Sequence, residues 1–176
     1  MALTQELVAC GALRFGTFTL TSGKTSSYYV DIKAASSRPR ILKAMAQELR
    51  PKVGDAEVLA GVELGAVPIL VALALETGLP YAIIRKQAKA HGTGKRVEGA
   101  DVKGKRVLLV EDVTTTGKSV LDAVQVLRAE GADVDRVETV VDRGEGASEA
   151  LGQHRVRLGA LVSAPELLSL SRGTTR

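Results

Sequence analysis

The feature that most restricts the fold of this chain is a short apolar segment that runs into two acids and a threonine-rich turn. Residues 107–110 form an uninterrupted apolar run of strand length, which is typical of a strand buried in a parallel sheet. Glu111 and Asp112 follow, and three threonines, a glycine and Lys118-Ser119 then lead into an amphipathic helix. A buried strand followed by a helix predicts an α/β sheet, whose ligands bind at the carboxyl ends of its strands.

The same segment carries the groups of a ribose-phosphate site. Threonine hydroxyls and the N–H groups of a helix start bind anions, and the helix dipole favours negative charge there. The two carboxylates could hold a ribose diol or a metal. A Walker A loop is excluded because Asp112 stands where its first glycine belongs, and a Rossmann fingerprint because Gly117 is alone in the turn. The alternative, an ordinary turn with solvated acids, fits this unusual composition less well.

Composition narrows the class of protein. The chain has 176 residues, 45% of them hydrophobic, which suits one domain with a full core. Cys10 is the single cysteine, residues 1–6 lack the start of a signal peptide, and the longest apolar run, 66–75, is too short to span a bilayer. We therefore expect a cytoplasmic protein. The net charge of +4 with only 3% aromatic residues favours an anionic small molecule over nucleic acid.

Hydrophobic periodicity predicts alternating strands and helices over most of the chain. Helices are predicted at 3–13, 39–53, 65–77, 118–130 and 165–170, and strands at 15–20, 27–32, 58–62, 81–84, 107–110, 137–141 and 156–162. The alternation predicts a parallel sheet between helices. The first two strands fall outside this pattern, so residues 1–37 are expected to form a hairpin-based hood. Residues 171–176 are expected to fray.

Residues 85–104 form the longest predicted loop, which contains four glycines and begins with a basic segment. Arg85, Lys86, Lys89 and His91 place four cationic or ionisable side chains within seven residues, a composition suited to a polyanion. Loops of this length in compact domains are either functional or disordered. Alone, a solvated loop would be an equal alternative, but beside the phosphate-binding segment a functional role is favoured.

Several segments together resemble one family. RKQAKAHGTG, residues 85–94, is similar to the catalytic loop of the orotate phosphoribosyltransferases, R-K-x-x-K-x-H-G. Residues 107–119 resemble the PRPP-binding motif of the type I phosphoribosyltransferases. Residues 15–23 and 26–29 are similar to the orotate-side hood, and residues 140–143 resemble the late strand that ends in an arginine. The resemblance implies a single domain over 1–176 with the type I fold, a central parallel sheet flanked by helices with a small N-terminal hood.

The resemblance also implies a reaction and a set of site residues. The family transfers ribose 5-phosphate from PRPP to orotate in UMP biosynthesis, releasing pyrophosphate. Lys89, His91 and Asp112 would be catalytic, and Thr115 and Arg143 would contact orotate. The residues implied to bind PRPP are Arg85, Lys86, Lys89, His91, Glu111, Asp112, Val113, Thr114, Thr115, Thr116, Gly117, Lys118 and Ser119.

The resemblance also implies a metal cofactor and a dimeric protein. Mg²⁺ would be bound mainly through substrate and water, as that ion prefers. A homodimer would share residues 85–91 between its subunits. Neither nucleic acid nor a membrane is expected as a partner.

A few positions depart from the family pattern. Some members carry a lysine where this chain has Leu64-Gly65, and another where Thr21 stands, while the role of nearby Lys24 stays open. Glu63 is unexpected beside pyrophosphate and would either ligate a metal through water or point away.

Two other functions compete with this interpretation. A nucleotide-sensing regulator on the same fold generally has a nucleic-acid-binding module, and none precedes residue 15. It would also not need the basic loop. A purine phosphoribosyltransferase would be expected to carry base-stacking residues where this chain has Asp142-Arg143.

Overall fold

The structure, a computed structural model, describes residues 2–19, 23, 25–87 and 95–173. Within these ranges strands and helices alternate from residue 58 onward, except for three successive strands between residues 81 and 114. The elements are α1 (Leu3–Ala9), β1 (Leu13–Thr19), β2 (Thr25–Val30), α2 (Ile32–Ser36), α3 (Pro39–Leu49), a 3-10 turn (Arg50–Lys52), β3 (Val58–Val62), α4 (Val67–Thr77), β4 (Tyr81–Ile84), β5 (Val97–Gly99), β6 (Arg106–Thr114), α5 (Lys118–Ala129), β7 (Asp133–Asp142), α6 (Ala147–Gly152), β8 (Arg157–Ser163) and α7 (Ala164–Gly173).

Six of the described strands form one sheet in the order β5-β4-β3-β6-β7-β8. All neighbours are parallel except β4 and β5, which are antiparallel. The central strand β3 is buried along its whole length, and its neighbour β6 is buried from residue 107 to 111. The central parallel sheet predicted from the sequence is therefore confirmed, and its order brings the carboxyl ends of β3, β4, β6 and β7 to one edge.

Two apolar layers cover the two faces of this sheet. On one face, Met45 of α3 and Ile69 of α4 are fully buried against strand residues such as Leu108. On the other face, Val124 and Leu127 of α5 are fully buried against β6 and β7. Each such side chain contributes roughly 1.5–3 kcal/mol through burial, so the helical spacing of apolar residues decides which face of each helix meets the sheet.

The N-terminal hairpin predicted from the sequence is present as a separate two-stranded sheet. β1 and β2 pair in antiparallel fashion, with a register shift between Phe15 and Phe18. Phe18 also meets Tyr29 across the pair, with ring centroids 5.6 Å apart. Of the neighbouring sequence, Thr21 and Lys24 lie outside the described residues, as do residues 174–176 of the predicted frayed tail.

Several sequence predictions need correction. The helix predicted over 3–13 ends at Ala9, and residues 171–173 of the tail expected to fray belong to α7. The predicted loop 85–104 contains β5, whose residues pair with β4; three residues are too few for a periodic signal. The helix predicted over 39–53 ends at Leu49 and continues as a 3-10 turn, since Pro51 has no N–H for a helical hydrogen bond. The strand predicted over 107–110 extends to Thr114, so the paired acids belong to the strand itself.

Two short helices were not predicted. The five-residue helix α2 begins where the carboxylate of Asp31 accepts the N–H of Ala34 at 3.0 Å. The six-residue helix α6 follows Gly146, which adopts a positive φ of 100°. Both helices are too short to give a helical periodicity.

Candidate active site

The carboxyl edge of the sheet gathers residues from four strands. β6 and β7 run side by side to Thr114 and Asp142, which are register partners. β3 and β4 end beside them, because Val62 is the register partner of Ile84. The paired acids, the start of the basic segment and Arg143 are thereby brought to the same edge, as the sequence predicts for an α/β ligand site.

Glu111 is the most deeply buried acid of this edge, with 5% of its surface exposed. Its Oε1 accepts the N–H of Asp112 at 3.0 Å, and Oδ1 of Asp112 accepts the N–H of Val113 at 2.9 Å. Burial, and then the negative charge of Asp112, raise the pKa of Glu111 well above its ordinary value of 4.5. Two acids therefore lie side by side, and Glu111 holds its proton more tightly than an ordinary glutamate does.

Asp112 lies against the turn that follows β3. A methyl group added to Gly65 would overlap the carboxylate of Asp112. Gly65 has no positive φ, so this close approach is the reason that only glycine fits there. The turn that contains Leu64 and Gly65 therefore packs directly against the carboxylate of Asp112. Sequence spacing carried no signal for this contact, because the two segments are 47 positions apart along the chain (112 − 65 = 47).

In the threonine-rich turn, one threonine is buried and hydrogen-bonded within the protein, and the next two are partly exposed. Thr114 is buried, and its hydroxyl donates to Oδ1 of Asp142 at 2.9 Å, which leaves its side chain turned away from the open edge. Thr115 and Thr116 are half-buried, and Gly117 adopts a φ of 79° against the backbone of Ala147. The first N–H groups of α5 follow at once, and these have no partner within a helix. The turn therefore has the form of an anion site.

Arg143 directly follows β7 and is a buried cation, with 4% of its side chain exposed. Its Nη2 donates to the hydroxyl of Ser26 at 2.9 Å, and its guanidinium lies 4.4 Å from the ring centroid of Tyr28. Its Nε forms an ion pair with Oε1 of Glu145 at 2.8 Å. The hairpin is thus joined to the main sheet through Arg143. Glu145 gave no sequence signal, because it lies in an irregular glycine-flanked segment.

The basic segment is described only in part. Arg85 and Lys86 lie just beyond β4, and both contact Glu63. Lys89 and His91, predicted as catalytic residues, lie outside the described residues.

The acids of this edge do not make a complete metal cage. Within the described ranges, no cluster of three or more histidine, cysteine, aspartate or glutamate side chains is placed to hold a metal ion. Glu111 and Asp112 offer two adjacent carboxyl groups, whereas Glu63 is directed to nitrogen donors. Such a set fits Mg²⁺ held by one or two carboxylates together with substrate phosphates and water.

None of the helices in the described part of the chain has the length and apolarity needed to cross a bilayer.

Comparison with known proteins points in one direction. Residues 30–154 match the model of the phosphoribosyl transferase domain family. The chain is 49% identical over 168 residues to an orotate phosphoribosyltransferase of Methanopyrus kandleri, covering 96% of this chain and 91% of the relative. Its fold matches the UMP synthase of Leishmania donovani with a TM-score of 0.88 and 33% identity, over 98% of this chain and 38% of that larger one.

A further solved structure was determined with a ligand. The orotate phosphoribosyltransferase of Mycobacterium tuberculosis in complex with PRPP matches with a TM-score of 0.78 and 32% identity. That match covers 94% of this chain and 96% of the other.

Proposed function

The chain belongs to the orotate phosphoribosyltransferases, and we propose how its residues divide the work of that enzyme. The enzyme transfers ribose 5-phosphate from PRPP to orotate, which gives orotidine 5′-monophosphate and pyrophosphate in pyrimidine biosynthesis. The assignment of roles rests on one observation. The acid pair, the threonine-rich turn that follows it and the buried Arg143 lie at the same edge of the sheet. The two substrates would therefore bind side by side across the ends of β6 and β7.

The PRPP half of the site would be formed by β6 and the start of α5. The 5′-phosphate would bind to the N–H groups of residues 113–119 and to the hydroxyls of Thr115, Thr116 and Ser119, where the helix dipole favours an anion. Glu111 and Asp112 would hold the ribose hydroxyls. Breaking the C1–O bond develops positive charge on the ribose, which the carboxylate of Asp112 would stabilise. Positioning and charge stabilisation would carry most of the catalysis.

The orotate half would be formed by Arg143 together with Thr115. A guanidinium carries five N–H donors, so the hydrogen bond to Ser26 and the ion pair with Glu145 leave others for the carboxylate of orotate. The ring of Tyr28 lies on the guanidinium and fixes its plane. This arrangement supports recognition of a base that carries a carboxylate, which adenine and hypoxanthine lack.

The part of the site that faces the leaving pyrophosphate would be formed by the basic segment. Arg85, Lys86, Lys89 and His91 would neutralise the negative charge that develops on the leaving pyrophosphate. Mg²⁺, when bound, would neutralise part of the negative charge on the leaving pyrophosphate. Of this chain's residues, Asp112 would be the nearest to hold the ion, directly or through water.

A homodimer is proposed on the basis of α4. From residue 67 to 75 this helix contains only apolar residues, although only one of its faces is buried in the core. On the outer face Leu75 is 82% exposed, and Leu64 in the preceding turn is 72% exposed. A second copy of the chain is the favoured occupant, because an uncharged apolar surface is complementary to itself across a two-fold axis. The same turn contacts Asp112, so this interface would adjoin the site.

The compartment is proposed to be the cytoplasm, since a single cysteine suits a reducing environment.

One assay tests the function directly. Orotate absorbance should fall when the protein is mixed with PRPP and Mg²⁺, and no product should form from adenine, hypoxanthine or uracil. A purine phosphoribosyltransferase would show the reverse preference. A nucleotide-sensing regulator would bind PRPP in a calorimeter without consuming orotate. Either result would contradict the assignment that the relatives support.

A further inference from the structure

Glu63 directly follows β3, at the edge where the pyrophosphate of PRPP is proposed to bind. A carboxylate beside a polyanion is unfavourable because like charges repel, so its presence calls for a compensating role. We infer that Glu63 is a positioning residue for the transfer reaction, which holds Arg85 and Lys86 at the pyrophosphate side of the site. This inference rests on the proposed function, since it assigns a role within that same site.

The backbone places Glu63 over the end of β4. Its N–H donates to the carbonyl oxygen of Ile84 at 2.9 Å, so the pairing of β3 with β4 continues beyond Val62. Its Oε1 accepts the N–H of Lys86 at 2.8 Å, and its Oε2 lies 3.6 Å from Nε of Arg85. Both carboxylate oxygens are therefore directed to the first two residues of the basic segment.

Arg85 is held from its other side as well. Its Nη1 lies 3.5 Å from Oε1 of Glu98 on β5. Its backbone N–H donates to the carbonyl oxygen of Arg96 at 2.8 Å, and its own carbonyl oxygen accepts Nε of Arg96 at 2.9 Å. Glu63 is thus one of several groups that fix a single orientation of Arg85.

The chain of contacts continues to the phosphate-binding half. Arg96 donates from both terminal nitrogens to the carboxylate of Asp122 on α5. That hydrogen bond raises the pKa of Arg96 and lowers the pKa of Asp122. Contacts therefore run from the end of β3, through Arg85, to the helix that begins at the proposed phosphate site.

These contacts favour positioning over metal binding. Oε1 of Glu63 accepts a hydrogen bond, and Oε2 lies beside the Arg85 cation, whose positive charge opposes a metal ion at that oxygen. The ion pair with Arg85 is weakened by solvent, because the two side chains are 33% and 29% exposed. The hydrogen bond to the N–H of Lys86 acts on the backbone, and it sets the direction in which the basic segment leaves the sheet.

The test compares Glu63→Ala and Glu63→Gln with matched variants of Glu57. Glu57 precedes β3 at the opposite edge of the sheet and makes the same kinds of contact: it accepts the N–H of Arg106 at 3.2 Å and pairs with Lys105 and Arg106. Three quantities are measured for each variant: hydrogen exchange of the Lys86 amide, steady-state kinetics with PRPP and orotate, and the Mg²⁺ concentration for half-maximal activity.

Glu63→Ala is expected to speed exchange of the Lys86 amide and to lower kcat/KM for PRPP about 10-fold, the equivalent of one hydrogen bond. KM for orotate and the Mg²⁺ requirement should not change. Glu63→Gln keeps an oxygen acceptor for the Lys86 amide and should recover most of both losses. Glu57→Ala and Glu57→Gln should leave the kinetics and the Lys86 amide as in wild type.

Four outcomes would overturn the inference. The first is unchanged exchange at Lys86 in Glu63→Ala, and the second is a fully active Glu63→Ala variant. The third is tighter PRPP binding in that variant, as simple repulsion would give. The fourth is a raised Mg²⁺ requirement in Glu63→Gln, as a metal ligand would give. A wild-type protein that failed to convert orotate would instead overturn the proposed function, and the inference with it.

Discussion

At the scale of single residues, the acid pair on β6 combines two different electrostatic environments. Glu111 is buried and shares its surroundings with Asp112, so its pKa is raised, whereas Asp112 is only half-buried. Glu111 therefore holds its proton to a higher pH than an ordinary glutamate does. For the transfer reaction, the carboxylate of Asp112 is suited to stabilise positive charge on the ribose, and a protonated Glu111 can donate a hydrogen bond to a ribose hydroxyl.

Glu111→Gln should change how stability depends on pH. Because the pKa of Glu111 is raised in the folded state, the folded protein binds this proton more tightly than the unfolded chain does. Stability from this group is full below the unfolded value of 4.5 and is lost as pH rises towards the folded pKa. Glutamine stays neutral and removes that loss. Urea denaturation between pH 4 and 8 should show wild type losing stability relative to the variant, by up to about 1.4 kcal/mol per pH unit.

Parallel curves for the two proteins would mean that Glu111 does not take up a proton on folding. The hydrogen bond from the N–H of Asp112 is retained by the amide oxygen of glutamine, so its loss cannot explain a difference.

Gly65→Ala should destabilise the protein through Asp112. The added methyl group overlaps the carboxylate, and overpacking of this kind costs about 1–3 kcal/mol. In an Asp112→Ala background the overlap disappears, so the same substitution should cost much less there. Chemical denaturation of all four proteins in a double-mutant cycle measures this coupling.

Gly152→Ala is the matched control for that cycle. Gly152 also lacks a positive φ, and a methyl group there would meet nothing within 4 Å. It should be neutral or slightly stabilising. An equal cost of Gly65→Ala with and without Asp112 would show that the strain lies elsewhere in the turn.

At the scale of elements, the sequence predicted the strands and helices that have a regular apolar pattern. It missed very short elements and contacts that form only in the folded chain. β3 and β4 matched their predicted bounds, because both are apolar runs bounded by polar or turn residues. β5 was missed because only its pairing with β4 makes it a strand. The contact of Gly65 with Asp112 and the hydrogen bond from Arg143 to Ser26 join segments whose relation exists only after folding.

The same reasoning explains why the family and fold are confirmed while the roles of single site residues stay predictions. The family and fold predicted from the loop and turn motifs are confirmed by the relatives. The roles of individual residues stay predictions, because a motif fixes residue types and not contacts. Thr114 illustrates this, since it matched the motif and yet its hydroxyl binds Asp142. Lys89 and His91 lie outside the described residues, so their role depends on the motif alone.

The hairpin element should determine affinity for orotate through Arg143. Arg143→Ala removes a charge-assisted partner of the substrate carboxylate, which costs about 2–3 kcal/mol and should raise KM for orotate roughly 30- to 150-fold. The dissociation constant for PRPP should stay nearly unchanged. Ser26→Ala removes one hydrogen bond to Arg143 and should raise KM less, by roughly 2- to 10-fold.

Ser27→Ala is the control for the hairpin. Ser27 lies on the same strand but is exposed, since neighbouring residues of a strand face opposite sides. Its KM for both substrates should equal that of wild type. Loss of PRPP affinity in Arg143→Ala would assign that residue to the other substrate.

At the scale of the whole molecule, the outer face of α4 should hold the dimer together. Leu75→Asp places a charge in the proposed apolar interface. Because the two-fold axis gives each subunit the same substitution, dimer formation would bury two charges at once. Sedimentation velocity should show wild-type dimers and mostly monomers for this variant at the same micromolar concentration. Gln125→Asp, which adds the same charge on the exposed part of α5, should remain dimeric. A Leu75→Asp protein that stayed dimeric would place the interface elsewhere.

The last prediction asks whether the two subunits share their active sites. Lys89→Ala and Asp112→Asn each remove one half of a site, the basic segment or the acid pair. If the segment of one subunit completes the site of the other, a mixed dimer contains one site with both lesions and one with neither. After subunit exchange, each mixed dimer should then recover at most about half of the wild-type activity, as two-fold symmetry requires. If each segment serves its own subunit, every site in the mixture keeps one lesion and activity stays at the level of the single variants. Subunit exchange must be verified separately, for example with one subunit carrying an affinity tag, so that absent recovery reports the arrangement of the sites.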